Sequence, residues 1–379
     1  MPRIPTSLLR SAGAIDALLP ALLGPNRDLA AARNELRWLR EHAGKVATTR
    51  SAKGATWSKG AILADLVRRR ARGTPLQYLL GTEHFGDLEI LVRPGVLIPR
   101  QETAASVTHL VRLMRNALQL PSELRVLDLC TGTGCIPLLF EREFRSTHHQ
   151  VQLQLLGVDI SVKAMKLACR NLKRMRRKEH GGVGNGVTGF LVADVLIDPF
   201  EDQNQPQPSL KFALNLVNKP FWDILISNPP YISPSGYWKT TSRSVRGYEP
   251  KLALVPPPSP EKNDTEQADA FYSRLLATAR DVEAKIVLFE VADLGQALRI
   301  AKQARRFDIF DGIEIWRDQP NETDHEILDD FPVVGQGNGR SVFCWRGAGS
   351  AWLRKGLGEH DDATDAKRLF KSSYTDRSW

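Results

Sequence analysis

The chain has 379 residues, 42% hydrophobic and 25% charged, proportions of a globular protein long enough for a full α/β domain plus a smaller one. No apolar run reaches the roughly 20 residues of a membrane-spanning helix, so such a helix is excluded. The net charge of +9 suits polyanionic partners such as RNA, ribosomes or acidic protein surfaces, and equally serves solubility.

The first residues carry Arg3 and Arg10, two serines and no acid before Asp16. That composition fits a mitochondrial presequence and fits an ordinary helical start equally well. Over 28–43, Leu29, Ala32, Leu36, Leu39 and Ala43 recur at helical spacing behind Asp28 as N-cap. A second helix is predicted over 58–72, with Leu63, Leu66 and Val67 as its apolar stripe. Thr74-Pro75 predicts a further short helix with Pro at its first position. Residues 1–81 are thus expected to form a small helical domain. Short apolar runs around Gly86-Asp87 predict a β-hairpin linker over 82–100.

From Leu124 the pattern alternates strand, loop and helix. Strands are predicted over 125–129, 153–158, 189–192, 223–227, 285–290, 312–316 and 341–345, and helices over 136–144, 162–173, 268–281 and 294–304. This alternation implies an α/β domain over 101–348 with a mostly parallel, seven-stranded, Rossmann-like sheet. Stretches 176–189, 201–220 and 319–339 have the composition of loop insertions, and the charged tail 349–379 is expected to be flexible.

Three strand ends carry chemistry. Val126 to Gly134 reads VLDLCTGTG: a buried strand ends at Asp128, and Gly132 and Gly134 let the backbone approach a ligand before a helix N-terminus. Leu156 to Asp159 reads LGVD, and an acid at the end of the next strand can accept both hydroxyls of a ribose. A glycine loop plus a ribose acid indicates an adenosine-containing cofactor, NAD or S-adenosylmethionine; the absence of Gly-x-Gly-x-x-Gly spacing weighs against the dinucleotide. Ile224 to Tyr231 reads ILISNPPY. Pro229 and Pro230 stiffen the turn, the Pro229 carbonyl and the Asn228 side chain supply two acceptors, and Tyr231 can stack on a flat group. Two fixed acceptors suit a planar –NH2 group. An amide nitrogen is a poor nucleophile because its lone pair is delocalised, and acceptors on both its hydrogens push electron density back onto it.

These motifs, with LIPRQET at 97–103 and GYEPKLAL at 247–254, identify a resemblance to the HemK/PrmC family of N5-glutamine methyltransferases over about 28–346. The family modifies the Gly-Gly-Gln loop of class I peptide chain release factors. The resemblance implies S-adenosylmethionine as cofactor. Asp128, Cys130, Thr131, Gly132, Thr133 and Gly134 would lie at its methionine end, Asp159 with Ile160 at its ribose, and Asp194-Val195 at its adenine. Asn228, Pro229, Pro230 and Tyr231 would bind the target glutamine, with Asn228 also bordering the cofactor. It further implies a monomer without metal, a helical domain that grips the release factor near the ribosome, and, since the organellar branch keeps that domain, a mitochondrial rather than cytoplasmic location. One departure stands out: Cys130 occupies the first glycine of the family's Asp-x-Gly-x-Gly-x-Gly loop, where a positive φ would strain it. The competing function on the same –NH2 chemistry is methylation of a nucleic-acid amino group, adenine N6 for example, on a flipped base; a non-catalytic ribosome-associated protein is a third.

Other residues read more plainly. Glu102 either lines the mouth of the site or forms a surface ion pair, Glu249 can order the loop after the Asn-Pro-Pro-Tyr motif, and Glu290 either supports the site or is a strand-end charge. The eight histidines, His148 and His149 among them, lack ligand spacing and are expected at the surface, as are the basic runs Arg68-Arg69-Arg70 and 173–178. Cys130, Cys135, Cys169 and Cys344 form no Cys-x-x-Cys pair, which points away from a metal site or a disulfide framework.

Overall fold

The computed structural model describes residues 3–51, 58–117, 119–178, 186–197 and 207–355. The N-terminal helices are α1 (Thr6–Ile15), α2 (Leu19–Asn26), α3 (Leu29–Ser51), α4 (Lys59–Ala71) and α5 (Leu76–Leu80). Asp28 caps α3 by accepting from Ala31 N at 2.6 Å, and Ser58 caps α4 by accepting from Ala61 N at 3.1 Å. The predicted stripes meet in one core, where Ala32, Leu36, Leu39 and Ala43 pack against Ile62, Leu63 and Leu66. Pro75 sits at the N-cap of α5 rather than inside its first turn. Arg70, expected in solvent, is partly buried instead: its guanidinium spans both oxygens of the buried Glu35 at 2.9 Å, because the helical core closes over that pair.

The predicted hairpin forms as β1 (Thr82–Phe85) and β2 (Leu88–Leu91), with Gly86 turning at φ 56°. It is no free linker, because Phe85 and Ile90 sit in the core of the following domain. That domain continues with α6 (Gln101–Met114), β3 (Glu123–Leu129), α7 (Cys135–Arg145), β4 (Gln152–Asp159), α8 (Val162–Lys178), β5 (Gly186–Val192), α9 (Leu210–Leu216) and β6 (Ile224–Ser227). After α10 (Pro234–Lys239), α11 (Arg243–Tyr248), a 3-10 turn at Lys251–Ala253 and α12 (Asp264–Ala268) come α13 (Tyr272–Asp281), β7 (Ile286–Glu290), α14 (Leu294–Arg306), β8 (Gly312–Gln319), β9 (His325–Leu328), β10 (Phe331–Val334), β11 (Gln336–Trp345) and α15 (Ala348–Trp352).

The strand order is β5-β4-β3-β6-β7-β11-β8-β10-β9. Strands β3 to β7 pair in parallel, and β11 runs antiparallel between β7 and β8. Among the described residues the sheet has nine strands, not seven. The stretch 319–339, expected as a loop insertion, folds into β9 and β10, which extend the edge beyond β8. Apolar residues there bury against the sheet, Phe331 and Val333 among them, which a loop would not do. Both faces are covered, as alternation along the strands requires: Leu127, Leu129, Leu225 and Val287 face α13 and α14, while Leu124, Val126, Ile224 and Leu288 face α6 and α7.

Three further expectations change. The helix predicted over 268–281 breaks between Ala268 and Tyr272, giving α12 and α13. His148 is buried, with Nε2 3.0 Å from Met114 O and its ring against Phe144, and His109 is buried edge-on to Trp316. The start of the tail expected to be flexible from 349 is folded instead, because α15 sends Trp352 and Leu353 into the core on the α6 side; residues 356–379 and parts of the stretches 176–189 and 201–220 lie outside the described residues. No helix among the described residues is long and apolar enough to cross a membrane.

Trp352→Ala should therefore destabilise the protein by about 3–5 kcal/mol, the cost of emptying a large aromatic site in a closed core. Urea denaturation measures it, and a shift under about 0.5 kcal/mol, typical of a surface position, would place Trp352 outside the core.

Candidate active site

Parallel register decides where the loops emerge. Leu129 lies opposite Val158 on one side and Ser227 on the other, so the residues that follow β3, β4 and β6 leave the sheet at the same edge. Strand order also reverses here: β4 and β5 extend one way from β3, and β6 and β7 the other. Ligands of open α/β sheets bind in the crevice at such a switch point. A cleft of about 1170 Å³ opens there.

Most predicted site residues line it: Cys130, Thr131, Gly132, Thr133, Asp159, Ile160, Asp194, Val195, Asn228 and Pro230. Four do not. Asp128 lies wholly buried beneath the floor, Gly134 starts α7 behind it, Pro229 is buried, and Tyr231 turns away so that its hydroxyl donates to Glu290 Oε1 at 3.0 Å. The Tyr231 side chain, predicted to stack on a flat group, is thus not among the cleft lining, and its hydroxyl is taken up by Glu290. Glu102 is exposed and outside the cleft, whereas Arg100 lines it.

The glycine loop is pinned by its own backbone. Thr131 N donates to Val158 O at 3.0 Å, and Gly132 N to Asp159 Oδ2 at 2.8 Å. Ser161 N takes the other Asp159 oxygen at 2.8 Å. Each oxygen of Asp159 thus keeps a further lone pair for a ligand. Burial raises the Asp159 carboxyl above the usual carboxylate range, and these two N–H groups pull it back. Asp194 similarly holds Leu196 N at 2.8 Å. Gly134 is dictated by packing, because a Cβ there would stand 2.9 Å from Ala168 Cβ and from Phe190 Cζ. At Gly132 a Cβ would meet nothing within 4 Å, so its backbone faces open space.

Two features carry a cost. Cys130 holds φ 64°, a left-handed conformation that disfavours any side chain, as its place in a glycine loop predicts. Asp128 is fully buried, and among the described residues neither of its oxygens, nor the hydroxyls of Thr131 and Thr133, has a hydrogen-bond partner. Burial raises the Asp128 carboxyl well above its ordinary value; the nearby Thr131 hydroxyl, close to it but outside regular hydrogen-bond geometry, opposes this, and the Asp159 charge adds to it. Orphaned acceptors gathered under a cleft are suited to a ligand with donors or positive charge.

On the other side of the cleft, Asn228 follows β6. Its Nδ2 donates to Thr103 Oγ1 at 3.3 Å, and Thr103 Oγ1 lies 2.5 Å from Glu290 Oε2. Among the described residues no donor reaches the Pro229 carbonyl. Glu249 does order the following loop: it accepts from Ile98 N at 3.0 Å and from Arg100 at 2.8 Å, joining GYEP to LIPR across 149 residues. That loop also reaches the helical domain, with Ser244 Oγ donating to Gly73 O at 2.7 Å. Thr103 was not singled out by sequence reasoning. Its signal was its place in LIPRQET, but only the start of α6 brings it to Asn228.

No family model matches the chain. The Schizosaccharomyces pombe protein named probable MRF1 mitochondrial N(5)-glutamine methyltransferase mtq1 is 33% identical over 281 residues, 74% of this chain and 82% of that protein. The Saccharomyces cerevisiae mitochondrial MRF1 N(5)-glutamine methyltransferase MTQ1 is 32% identical over 257 residues, 67% of this chain and 68% of that protein. The release factor glutamine methyltransferase of Geobacter sulfurreducens is 34% identical over 189 residues, 50% of this chain and 52% of that one.

Two predictions follow from the strained floor. Because the folded Asp128 carboxyl is raised, the folded chain keeps a proton that the unfolded chain loses near pH 4, so this group's stability is greatest below about pH 4 and falls as pH rises through the folded value. Asp128→Asn, neutral throughout, should raise the melting temperature of the ligand-free protein at pH 7 and flatten its fall with pH; a lower melting temperature at pH 7 would contradict this. At Cys130, substitution by Gly should match or exceed wild-type stability, whereas Val should lose about 1–3 kcal/mol. Denaturant titration distinguishes them, and equal stability of the two variants would remove the strain argument.

Proposed function

The chain belongs to the release factor glutamine methyltransferase family, and on that footing we propose that it methylates the side-chain amide nitrogen (N5) of the glutamine in the Gly-Gly-Gln loop of a mitochondrial class I peptide chain release factor, with S-adenosylmethionine as methyl donor. The observation that carries this reading is the Asn228 carboxamide, held at a strand tip in the same cleft as the glycine loop and Asp159. The cleft residues fit the cofactor. Asp159 keeps acceptor capacity for two ribose hydroxyls, the Gly132 backbone is open to close approach, and the orphaned acceptors around Asp128 suit a positively charged methionine end. Ile160, Asp194 and Val195 would flank the base. When bound, S-adenosylmethionine supplies a sulfonium methyl carbon as the electrophile.

The chain's own part is to hold and polarise the amide. Asn228 Oδ1 would accept from one N–H group, and the Pro229 carbonyl, which no donor reaches among the described residues although Pro229 itself lies just behind the cleft lining, would accept from the other; this localises the nitrogen lone pair and stabilises the positive charge that grows there. Fixing the nitrogen at about 3–3.5 Å from its target supplies the remainder through orientation. The final N–H proton is acidic enough to leave to water, and the cleft needs no strong base. The helical domain, joined to the loop after Asn228 through Gly73, stands where a protein substrate would be gripped on both sides. A mitochondrial location is supported by the two yeast proteins, whose names place them there.

Incubation of the protein with S-adenosylmethionine and the organellar release factor, followed by mass spectrometry of the Gly-Gly-Gln peptide, should reveal one added methyl group on glutamine. Labelling of RNA or DNA instead, with none on the release factor, would transfer the activity to nucleic-acid amino groups. Asn228→Ala should reduce kcat about 10²–10³-fold while cofactor affinity holds within about twofold. Asp159→Ala should do the reverse, weakening cofactor binding about tenfold or more by calorimetry. Near-normal turnover in the first, or unchanged affinity in the second, would refute the assigned roles.

A further inference from the structure

The side chain of an asparagine can present either its oxygen or its –NH2 to a ligand, and the two ends recognise opposite chemistry. Which end faces the cleft at Asn228 is decided by a chain of three bonds behind it. Glu290 ends β7, which lies beside β6 in parallel register with Phe289 opposite Ser227, so Glu290 stands next to Asn228 at the sheet edge. Both of its oxygens are engaged: Tyr231 donates to Oε1 at 3.0 Å and Thr103 to Oε2 at 2.5 Å. Burial raises the Glu290 carboxyl above its ordinary range, while the Thr103 bond, the Arg340 charge and the Tyr231 bond favour its ionised form. As a carboxylate it only accepts, so the Thr103 hydroxyl then spends its single proton on Glu290 and offers only lone pairs elsewhere. Asn228 must then meet Thr103 with its –NH2, as it does at 3.3 Å. Thr103 and Glu290 are both 5% exposed, so water has little room to substitute for either partner.

We propose that Glu290, acting through Thr103, is the positioning device that turns the Asn228 oxygen toward the cleft, and that it thereby makes the site select an amide –NH2 over a carboxylate in the substrate. Glutamine presents an N–H donor to that oxygen. Glutamate presents only acceptors, which would leave buried oxygens facing one another. The inference rests on the glutamine chemistry proposed above and adds to it the group that enforces the choice. Glu290→Gln keeps the shape but replaces one acceptor with a donor. Its –NH2 can donate to Thr103, which frees the threonine proton for Asn228 Oδ1 and allows the carboxamide to turn over. Thr103→Val cuts the chain at its middle link, and Thr103→Ser restores it.

The test uses the full chain with the release factor carrying either Gly-Gly-Gln or a Gly-Gly-Glu loop. The readouts are calorimetric affinity for each form, kcat and KM on the glutamine form, and S-adenosylmethionine affinity. Wild type should prefer the glutamine form about tenfold or more; Glu290→Gln and Thr103→Val should narrow that ratio to about threefold or less and lower kcat about tenfold, with cofactor affinity within about twofold. Thr103→Ser should return both to near wild type. Should Glu290→Gln fail to fold, the Thr103 pair at matched melting temperature decides. Wild-type discrimination and kcat in folded Glu290→Gln or Thr103→Val would overturn the relay. Equal loss in Thr103→Ser and Thr103→Val would also overturn it, by reducing Thr103 to packing. A wild-type protein that leaves the release factor unmethylated would instead refute the glutamine reading itself.

Discussion

The molecule depends on one geometric constraint, the in-register parallel pairing of β3 with β4 on one side and β6 on the other. Side chains alternate along these strands, and each strand is buried on both faces, so a one-residue slip would turn every apolar residue into the wrong core. The same register that satisfies packing also brings Cys130, Asp159 and Asn228 out together at one edge. Ser227 locks the arrangement further, its hydroxyl donating to Leu129 O at 2.8 Å across the two strand ends. The site is thus a by-product of a core that has no alternative alignment.

At that edge the usual rules of stability are relaxed. Asp128 is buried, Cys130 holds a left-handed backbone, and among the described residues neither the Asp128 oxygens nor the hydroxyls of Thr131 and Thr133 make a hydrogen bond of regular geometry. Local rules of this kind are broken where function requires it and are compensated elsewhere. The compensation here lies in two closed apolar layers and in networks that are satisfied: Glu141, for instance, is buried yet accepts from Arg145, Arg176 and Thr188. A ligand with donors completes the floor, so binding and folding stability are coupled through the same orphaned atoms.

The helical domain and the catalytic domain are not independent bodies joined by a linker. The hairpin contributes Phe85 and Ile90 to the catalytic core, Tyr78 donates to Val96 O at 2.6 Å, and the loop that follows Asn228 bonds to Gly73. Glu249 ties that loop to Ile98 and Arg100. A partner seated on the helical domain therefore meets a surface continuous with the mouth of the cleft, and the order of that mouth depends on contacts between segments far apart in the chain.

Much of this was legible in the sequence, because it is periodic or local. Helical spacing at Ala32, Leu36, Leu39 and Ala43, the cap at Asp28, the Gly86 turn and the buried strands within VLDLCTGTG, LGVD and ILISNPPY all follow from short-range sterics and apolar pattern, as does the strain at Cys130. The placement of Asn228 and Asp159 at strand ends beside the cleft was legible for the same reason: a polar residue closing an apolar run. What the chain could not declare were relations between distant segments. Residues 319–339 lack a strand-like run long enough to announce β9 and β10, yet gain pairing once β8 offers an edge. Arg70 and His148 look like surface residues until Glu35 and Met114 arrive beside them. Tyr231 reads as a stacking ring until Glu290 claims its hydroxyl, and Thr103 has no visible role until α6 sets it between Glu290 and Asn228. Sequence by itself determined which groups stand at the strand tips; tertiary structure decided which way they point, because hydrogen-bond direction is fixed by partners that only folding brings within 3 Å.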